Sequence, residues 1–256
     1  MKKYQIDLTI LANKPVSADA FLLELHSDVS LSDVVPGQFA ELLVTDSPAT
    51  FLRRPISIHD AGEHTVSFLI RKAGRGTERL SRLNAGEKLN AILPLGNGFS
   101  YTKETAGHPL LVGGGVGIAP LYLLGRKMLA DGIRPTFLFG GKQADNLLRI
   151  EEFNKLGDVY VTTEDASAGE KGFVTDHSIL NRERFDAIYA CGPTPMMKAV
   201  ARYASARAIA CQVSLEHKMA CGIGACLCCV EETKEGNLCV CKEGPVFSTE
   251  RLLWQN

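Results

Sequence analysis

Six of the eight cysteines in this 256-residue chain fall in the short stretch from Cys221 to Cys241. The spacing Cys221-x4-Cys226-x2-Cys229, with a further cysteine downstream, is that of a plant-type [2Fe-2S] site. Small residues in the loop, such as Gly222, let backbone amides approach the sulfurs. The cysteine-rich stretch is too short to enclose a core of its own. We therefore predict that four thiolates hold it around an iron-sulfur cluster.

Two cysteines compete for the fourth ligand position. Cys239 and Cys241 both follow a predicted turn over 231–236, and either could fold back towards the first three thiols. Our prediction takes Cys241. The predicted ligands are Cys221, Cys226, Cys229 and Cys241. The alternative is a tetrahedral zinc site built from Cys226, Cys229, Cys239 and Cys241, which leaves Cys221 without a role.

Charge and hydropathy narrow the range of partners. Lys and Arg total 28 and Asp and Glu total 29, which gives a formal net charge of −1. A chain without a basic surplus lacks the electrostatic signature of nucleic-acid or anionic-membrane binding. Asp7 and Asn13 interrupt the N-terminal apolar stretch, and no apolar run is long enough to span a bilayer. We expect a cytoplasmic protein, in a compartment that keeps thiols reduced.

The first hundred residues alternate short strands with turn residues such as Pro36-Gly37, Ser47-Pro48 and Ala61-Gly62. Closely spaced strands with one short helix predict a small antiparallel barrel. The predicted strands are 4–11, 21–25, 38–44, 56–59, 66–72 and 88–93, and the predicted helix is 77–83.

After Gly107 the pattern changes to buried strands that alternate with helices, which is typical of a parallel sheet with crossover helices. The predicted strands are 109–112, 136–139, 159–163 and 187–190, and the predicted helices are 119–130, 147–156 and 194–205. The predicted fold is a β barrel plus an α/β domain. Residues 1–100 form the barrel, 101–209 the parallel-sheet nucleotide-binding domain, and 210–256 the small cluster-binding segment.

Two turns at strand ends predict a dinucleotide site. The first contains Gly113, Gly114, Gly115 and Gly117 and lies between a buried strand and a helix. A glycine turn there lets backbone amides and the helix dipole contact a pyrophosphate, although the pattern also occurs as a purely structural turn. The second is Cys191-Gly192-Pro193, which again precedes a helix. Since ligands of parallel sheets bind at the carboxyl ends of strands, both turns are expected to flank one nicotinamide nucleotide.

The charges after the strand at 159–163 bear on which nicotinamide cofactor is used. Glu164 and Asp165 disfavour a 2′-phosphate, whereas Lys142 would favour one. The prediction is NADH.

Three short segments of the barrel region are flavin candidates. They are Arg54-Pro55-Ile56-Ser57, Leu69-Ile70-Arg71 and Gly76-Thr77. Arginine pairs bidentately with phosphate, and backbone amides at a helix start bind pyrophosphate. The residues alone leave open that Arg53 and Arg54 are a solvated surface pair.

The motifs R-P-I-S, G-T, G-G-G-V-G-I-A-P and C-G-P, taken together, resemble the ferredoxin-reductase superfamily over nearly the whole chain. The cysteine segment is similar to that of the electron-transfer subunits of the NAD-dependent, two-subunit dihydroorotate dehydrogenases. The resemblance implies FAD on the barrel, with 54–57 near isoalloxazine and ribityl, 69–71 alongside, and 76–77 on the diphosphate. It also implies the same four cluster cysteines. Many members carry an aromatic residue where Ile56 stands.

This set of cofactors predicts the reaction. NADH gives up two electrons as hydride, a [2Fe-2S] cluster takes one, and a flavin converts between them, so no catalytic acid or base is expected. The family resemblance implies a partner subunit with FMN on a TIM barrel, which needs roughly 250 residues of its own, and a heterotetramer with two of each chain. The alternatives are a reductase subunit for ferredoxin, sulfite reductase or hydrogenase, and a non-catalytic zinc-stabilised nucleotide-binding or redox-sensing module.

Overall fold

A computed structural model describes residues 2–44 and 50–254. The predicted turn at Ser47-Pro48 lies outside the described residues. The strands are β1 (Tyr4–Pro15), β2 (Ala20–His26), β3 (Phe39–Leu42), β4 (Arg54–Ser57), β5 (Asp60–Ala61), β6 (Thr65–Arg71), β7 (Lys88–Leu95), β8 (Pro109–Gly114), β9 (Thr136–Gly141), β10 (Asp158–Thr163), β11 (Glu170–Lys171), β12 (Ala187–Cys191), β13 (Ala210–Ser214), β14 (Val230–Thr233), β15 (Gly236–Cys239) and β16 (Val246–Ser248). The α-helices are α1 (Arg75–Leu80), α2 (Ala119–Ala130), α3 (Ile150–Asn154), α4 (Ile179–Arg182), α5 (Thr194–Ala206) and α6 (Val240–Glu243).

The first domain is an antiparallel sheet in the order β4-β3-β7-β1-β2-β6-β5. Strands β4 and β5 form its opposite edges, yet only Ile58 and His59 separate them in the chain. The amide of Ile58 donates to the carbonyl of Gln38 beside β3, and the amide of His59 donates to Ser67 on β6, each at 2.9 Å. The sheet therefore curls until its edges meet, which confirms the predicted barrel.

The second domain is a sheet in the order β11-β10-β9-β8-β12-β13-β16, parallel except for β16. Its central pair, β8 and β12, is in a register that sets Gly113 opposite Cys191, so the two predicted turns leave the sheet side by side. Helix α2 has the predicted bounds. Helix α3 is shorter than the predicted 147–156 because Arg149, with φ of 54°, is left-handed and starts the helix late.

The cysteine-rich segment shares the core of the second domain. Strand β13, at the start of the predicted third region, pairs with β12, and β16 pairs with β13. The buried side chains of Met219, Val240 and Trp254 belong to the same apolar cluster as Val112 of β8. Among the described strands of this segment, β14 and β15 form a separate hairpin outside the sheet. This packing explains how so short a segment is ordered without a core of its own.

Candidate functional site

The two predicted nicotinamide turns touch each other. A Cβ atom added at Gly117 would lie 2.4 Å from the carbonyl oxygen of Cys191, and one added at Gly114 would lie 2.8 Å from Pro193 Cδ. A Cβ atom closer than 3.0 Å to backbone forces that backbone to shift, so glycine is strongly favoured where the first turn crosses the second. Helices α2 and α5 begin immediately after the turns. Each has one proline within its first two positions, where a backbone amide would make no hydrogen bond inside the helix.

A cavity of about 810 Å³ opens above these turns. The residues that line it include Gly114, Gly115, Gly117, Gly192, Pro193, Lys142, Glu164, Arg71 and Glu216. The cavity therefore connects the nucleotide-domain turns with barrel strand β6 and with the start of the cysteine segment. Gly113 and Cys191 lie buried beneath it, and burial raises the pKa of the Cys191 thiol.

Two of the three flavin candidate segments meet on the barrel. Strand β4 carries Arg54, Pro55, Ile56 and Ser57, all half-buried. The Arg54 guanidinium lies over the start of α1, because a Cβ added at Gly76 would be 2.4 Å from Arg54 Nε. The Thr77 hydroxyl accepts a 2.8 Å hydrogen bond from the amide of Ala73, which fixes the turn before α1. The Arg54 guanidinium and the backbone amides at the start of α1 thus face the same point. Such a combination of a cation and helix-start amides is suited to binding a diphosphate.

The third candidate segment divides between two environments. Leu69 and Ile70 have buried side chains, so only their backbone could contact a ligand at the surface. Arg71 is exposed, pairs with Asp19 at 2.7 Å and lines the cavity. The structure therefore places Arg71 nearer to the nucleotide turns than the other flavin candidates.

Backbone amides point at the thiols of the cysteine segment. The amide of Gly224 donates to Cys241 Sγ at 3.1 Å, that of Ala225 to Cys221 Sγ at 3.3 Å, and that of Cys241 to Cys229 Sγ at 3.3 Å. Amide donors of this kind stabilise the thiolates of iron-sulfur clusters, so the donor set suits the cofactor. Within the described residues, no group of His, Cys, Asp or Glu side chains is arranged to hold a single metal ion.

The thiols also differ in their surroundings. Burial acts to raise the pKa of Cys221, but hydrogen bonds from the amides of Ile223, Cys226 and Ala225 outweigh it and lower that pKa to about 6. Cys229 and Cys241 are buried, whereas Cys228 is exposed and its thiol contacts the Lys218 carbonyl. The amide network therefore includes Cys241 and leaves Cys228 outside.

One functional candidate, Glu41, is missing from the sequence predictions. Its side chain on β3 is buried against Gly222, where an added Cβ would be 2.6 Å from Glu41 Cγ. Neither carboxylate oxygen has a hydrogen-bond partner within the described residues. Burial raises the pKa of Glu41 to about 7, although the nearby Arg53 guanidinium lowers it. The sequence signal that could have identified Glu41 is its position as a lone acid in the apolar run Phe39–Leu42.

Glu216 is a further acid of the site. It lines the cavity beside the Cys191-Gly192-Pro193 turn, and although the residue as a whole is exposed, desolvation raises the pKa of its carboxyl. Its neighbour His217 points elsewhere and pairs with Glu231 at 2.8 Å.

Among the described residues no helix is both long and apolar enough to cross a membrane.

Comparison with known protein families defines the class. Residues 111–202 match the oxidoreductase NAD-binding domain, and residues 216–253 match the iron-sulfur cluster binding domain of dihydroorotate dehydrogenase B. Together with the barrel, these matches define a flavin- and NAD-dependent reductase that carries a [2Fe-2S] cluster, and they argue against the zinc module. The chain belongs to the family of electron transfer subunits of dihydroorotate dehydrogenase B (NAD(+)), as the following relatives show.

The chain is 40% identical over 255 residues to that subunit of Shouchella clausii, covering 96% of this chain and 97% of the relative. It is 37% identical over 252 residues to that of Fusobacterium nucleatum, covering 94% and 95%. A solved NADH-dependent reduced ferredoxin-NADP oxidoreductase is 31% identical with a TM-score of 0.86, covering 96% of this chain and 90% of that one. The FAD/NAD-binding domain of a Vibrio cholerae nitric oxide dioxygenase, 18% identical with a TM-score of 0.67 and covering 79% and 93%, shares the fold.

Proposed function

We propose that this chain carries electrons from NADH to the FMN of a dihydroorotate dehydrogenase catalytic subunit, in a complex with two copies of each subunit. The observation that supports this most is the cavity that joins the two nucleotide turns to Arg71 of the barrel and to Glu216 at the start of the cysteine segment. Electrons would then enter at the nucleotide turns and leave through the cysteine segment, both of which border this cavity.

The roles of the chain's own residues follow from this arrangement. Gly114, Gly115 and Gly117, with Gly192 and Pro193, would bind and orient the nicotinamide nucleotide above the buried Gly113 and Cys191, and Arg54, Gly76 and Thr77 would hold the flavin diphosphate. When bound, the flavin accepts the two electrons of a hydride and releases them singly. The protein contributes orientation, which is the main requirement of hydride transfer.

In the cysteine segment we assign Cys221, Cys226, Cys229 and Cys241 as the cluster ligands. The amides that point at three of these sulfurs support the assignment. Thiolate ligands of this kind need a reducing compartment, so the proposed location is the cytoplasm.

Reconstitution with the catalytic subunit tests the proposal. The chain loaded with FAD, iron and sulfide should support NADH-driven reduction of the partner's FMN, and sedimentation should give a complex of two of each chain. Ferredoxin is the comparison acceptor, because the similar ferredoxin-NADP oxidoreductase structure covers nearly the whole chain. Fast reduction of ferredoxin with no reduction of the catalytic subunit would contradict the assignment of the partner.

The exposed apolar side chains of the cysteine segment predict where the catalytic subunit docks. Leu227 is 66% exposed and has a left-handed backbone, with φ of 57°, which aspartate also tolerates. We expect Leu227→Asp to weaken association about thirtyfold, the loss typical of a central apolar contact of about 2 kcal/mol. Leu11→Asp is the matched control, since Leu11 is 51% exposed on the barrel. Titration calorimetry measures both, and equal affinities would contradict docking through this segment.

The two acidic residues that follow strand β10 predict the nucleotide preference. Glu164 lines the cavity, whereas the carboxylate of Asp165 accepts hydrogen bonds from Ser167 at 2.6 and 3.0 Å. We expect Glu164→Gln to raise the NADPH-to-NADH ratio of kcat/KM about tenfold, because roughly 1.4 kcal/mol of charge repulsion is removed. Asp165→Asn should leave the ratio unchanged. Steady-state kinetics with both nucleotides decides, and an unchanged ratio in Glu164→Gln would show that Glu164 does not discriminate.

A further inference from the structure

His59 lies at the closure of the barrel, directly after the proposed flavin strand β4. Its side chain is buried, with 1% of the residue exposed. Its amide donates to Ser67 on β6, so its position in the barrel wall is fixed from one side. On the other side it faces helix α2 of the nucleotide domain.

Both polar groups that His59 directs at α2 meet the same turn of that helix. Ring Nδ1 lies 2.9 Å from the carbonyl oxygen of Ala119, and the backbone carbonyl of His59 accepts from the amide of Leu123 at 3.1 Å. Ala119 and Leu123 are four residues apart, which is the spacing of the helix's own hydrogen bonds. His59 therefore contacts a carbonyl and an amide that both belong to the first turn of α2.

The protonation state of His59 follows from its partners. A carbonyl oxygen only accepts, so Nδ1 carries the proton and Nε2 keeps a lone pair. Within the described residues Nε2 has no partner. Burial lowers the pKa of His59 to about 4, so the ring is neutral near neutral pH. The ring stacks on Tyr122 of the same helix turn, with centroids 4.7 Å apart.

His59 contacts α2 at the end of the helix that adjoins the glycine turn. Ala119 is the first residue of α2 and follows the glycine turn, in which Gly117 packs on the Cys191 carbonyl. Within the described residues, the other hydrogen bonds between α2 and the barrel lie further along the helix, where Arg126 donates to Asp60 at 2.8 Å and Lys127 donates to the Val34 carbonyl at 2.6 Å. Of these hydrogen bonds, those of His59 lie nearest to the proposed nucleotide turn.

We propose that His59 is a positioning residue for hydride transfer: it joins the end of the flavin strand to the first turn of α2 and so fixes the distance between the flavin and the nicotinamide. The inference rests on the proposed function, since it takes the flavin to lie on β4 and the nucleotide to lie on the glycine turn. Hydride transfer needs reacting atoms about 3–3.5 Å apart, and a displacement of about 1 Å costs up to a hundredfold in rate.

Two variants separate the hydrogen bond from the ring. His59→Phe keeps the stack on Tyr122 and removes the donor to Ala119, whereas His59→Asn keeps a donor at the position of Nδ1 and removes the ring. In stopped-flow measurements we expect His59→Phe to slow flavin reduction at saturating NADH by about ten- to a hundredfold, with an unchanged dissociation constant for NADH and a weaker nicotinamide-flavin charge-transfer absorbance. His59→Asn should recover most of the rate.

Arg126→Ala is the control, because it removes a tie between α2 and the barrel that lies away from the glycine turn. It should lower thermal stability and leave the flavin reduction rate within about twofold of the parent. Wild-type rates in a flavin-loaded His59→Phe, or equal losses in the Phe and Asn variants, would overturn the proposal.

If His59→Phe fails to retain FAD, His59→Gln tests the same hydrogen bond to Ala119. Its side-chain amide can still donate, but the donor is displaced by one bond from the position of Nδ1. It should be slower than His59→Asn, and a wild-type rate would overturn the proposal. Failure of the parent protein itself to reduce its flavin with NADH would instead contradict the proposed function, so the two results are distinguishable.

Discussion

Cys229→Ser is expected to abolish cluster binding while leaving flavin reduction by NADH intact. Cys229 is 1% exposed, and its sulfur accepts a hydrogen bond from the amide of Cys241 at 3.3 Å. A serine oxygen would therefore replace a soft thiolate inside the amide network. Iron and acid-labile sulfide should fall to background. Electron delivery to the catalytic subunit should fall by about a hundredfold or more, since changes in the outer shell of a metal site alone cost 10–100-fold.

The neighbouring Cys228 supplies the matched control. It is exposed and its thiol contacts the Lys218 carbonyl, so Cys228→Ser should keep full iron, sulfide and electron transfer. Metal analysis and the visible spectrum of the purified variants measure the difference. A Cys229→Ser protein with a full complement of iron would show that the proposed ligand set is wrong.

The same measurements distinguish the two candidates for the fourth ligand. The Cys241 thiol accepts the amide of Gly224, and the amide of Cys241 donates to Cys229. Cys241→Ser is therefore expected to lose the cluster, and Cys239→Ser to keep it. The reverse result would move the fourth ligand to Cys239, and zinc in place of iron in the parent would contradict the iron-sulfur assignment.

Local signals made most of the fold predictable. The alternation of short strands and turn residues predicted the barrel, and the strand-glycine-helix pattern predicted α2 with its observed bounds. The start of α3 was predicted too early because the left-handed backbone of Arg149 has no clear signature in the sequence. Propensity is a weak guide wherever a single unusual φ decides a boundary.

The parts of the site that depend on long-range packing were not predictable. Glu41 lies against Gly222, and His59 contacts Ala119, although each pair is far apart in the chain. Periodicity reports which face of an element is buried, and says nothing of which distant segment covers that face. The sequence motifs could therefore indicate which turns bind cofactors, but the residues that hold the turns at a fixed separation emerge from the structure.

The crossing of the two nucleotide turns leads to the second large expected effect. Gly117→Ala would place a methyl group 2.4 Å from the Cys191 carbonyl oxygen and 2.6 Å from Gly192 Cα. Both atoms belong to the backbone where β12 ends and the second turn begins, so the two turns must separate. Overpacking of this kind costs typically about 1–3 kcal/mol, which corresponds to roughly five- to 150-fold in an equilibrium constant. We expect the dissociation constant for NADH to rise by about this factor and the rate of flavin reduction to fall with it.

Gly132 offers the control, because it lies just beyond the other end of α2, away from the glycine turn. It has φ of 79°, and the nearest atom to an added Cβ, Lys103 Nζ, would lie 3.9 Å away. Asparagine tolerates the left-handed conformation after a helix end, so Gly132→Asn should bind NADH within a few-fold of the parent. Stopped-flow titration of both variants with NADH, with FAD content and cluster spectrum as checks of integrity, measures the contrast. Because the barrel and the cysteine segment are untouched, Gly117→Ala should keep both cofactors and still be reduced by dithionite. Tight NADH binding by this variant would mean that the nucleotide does not depend on the crossing of the two turns.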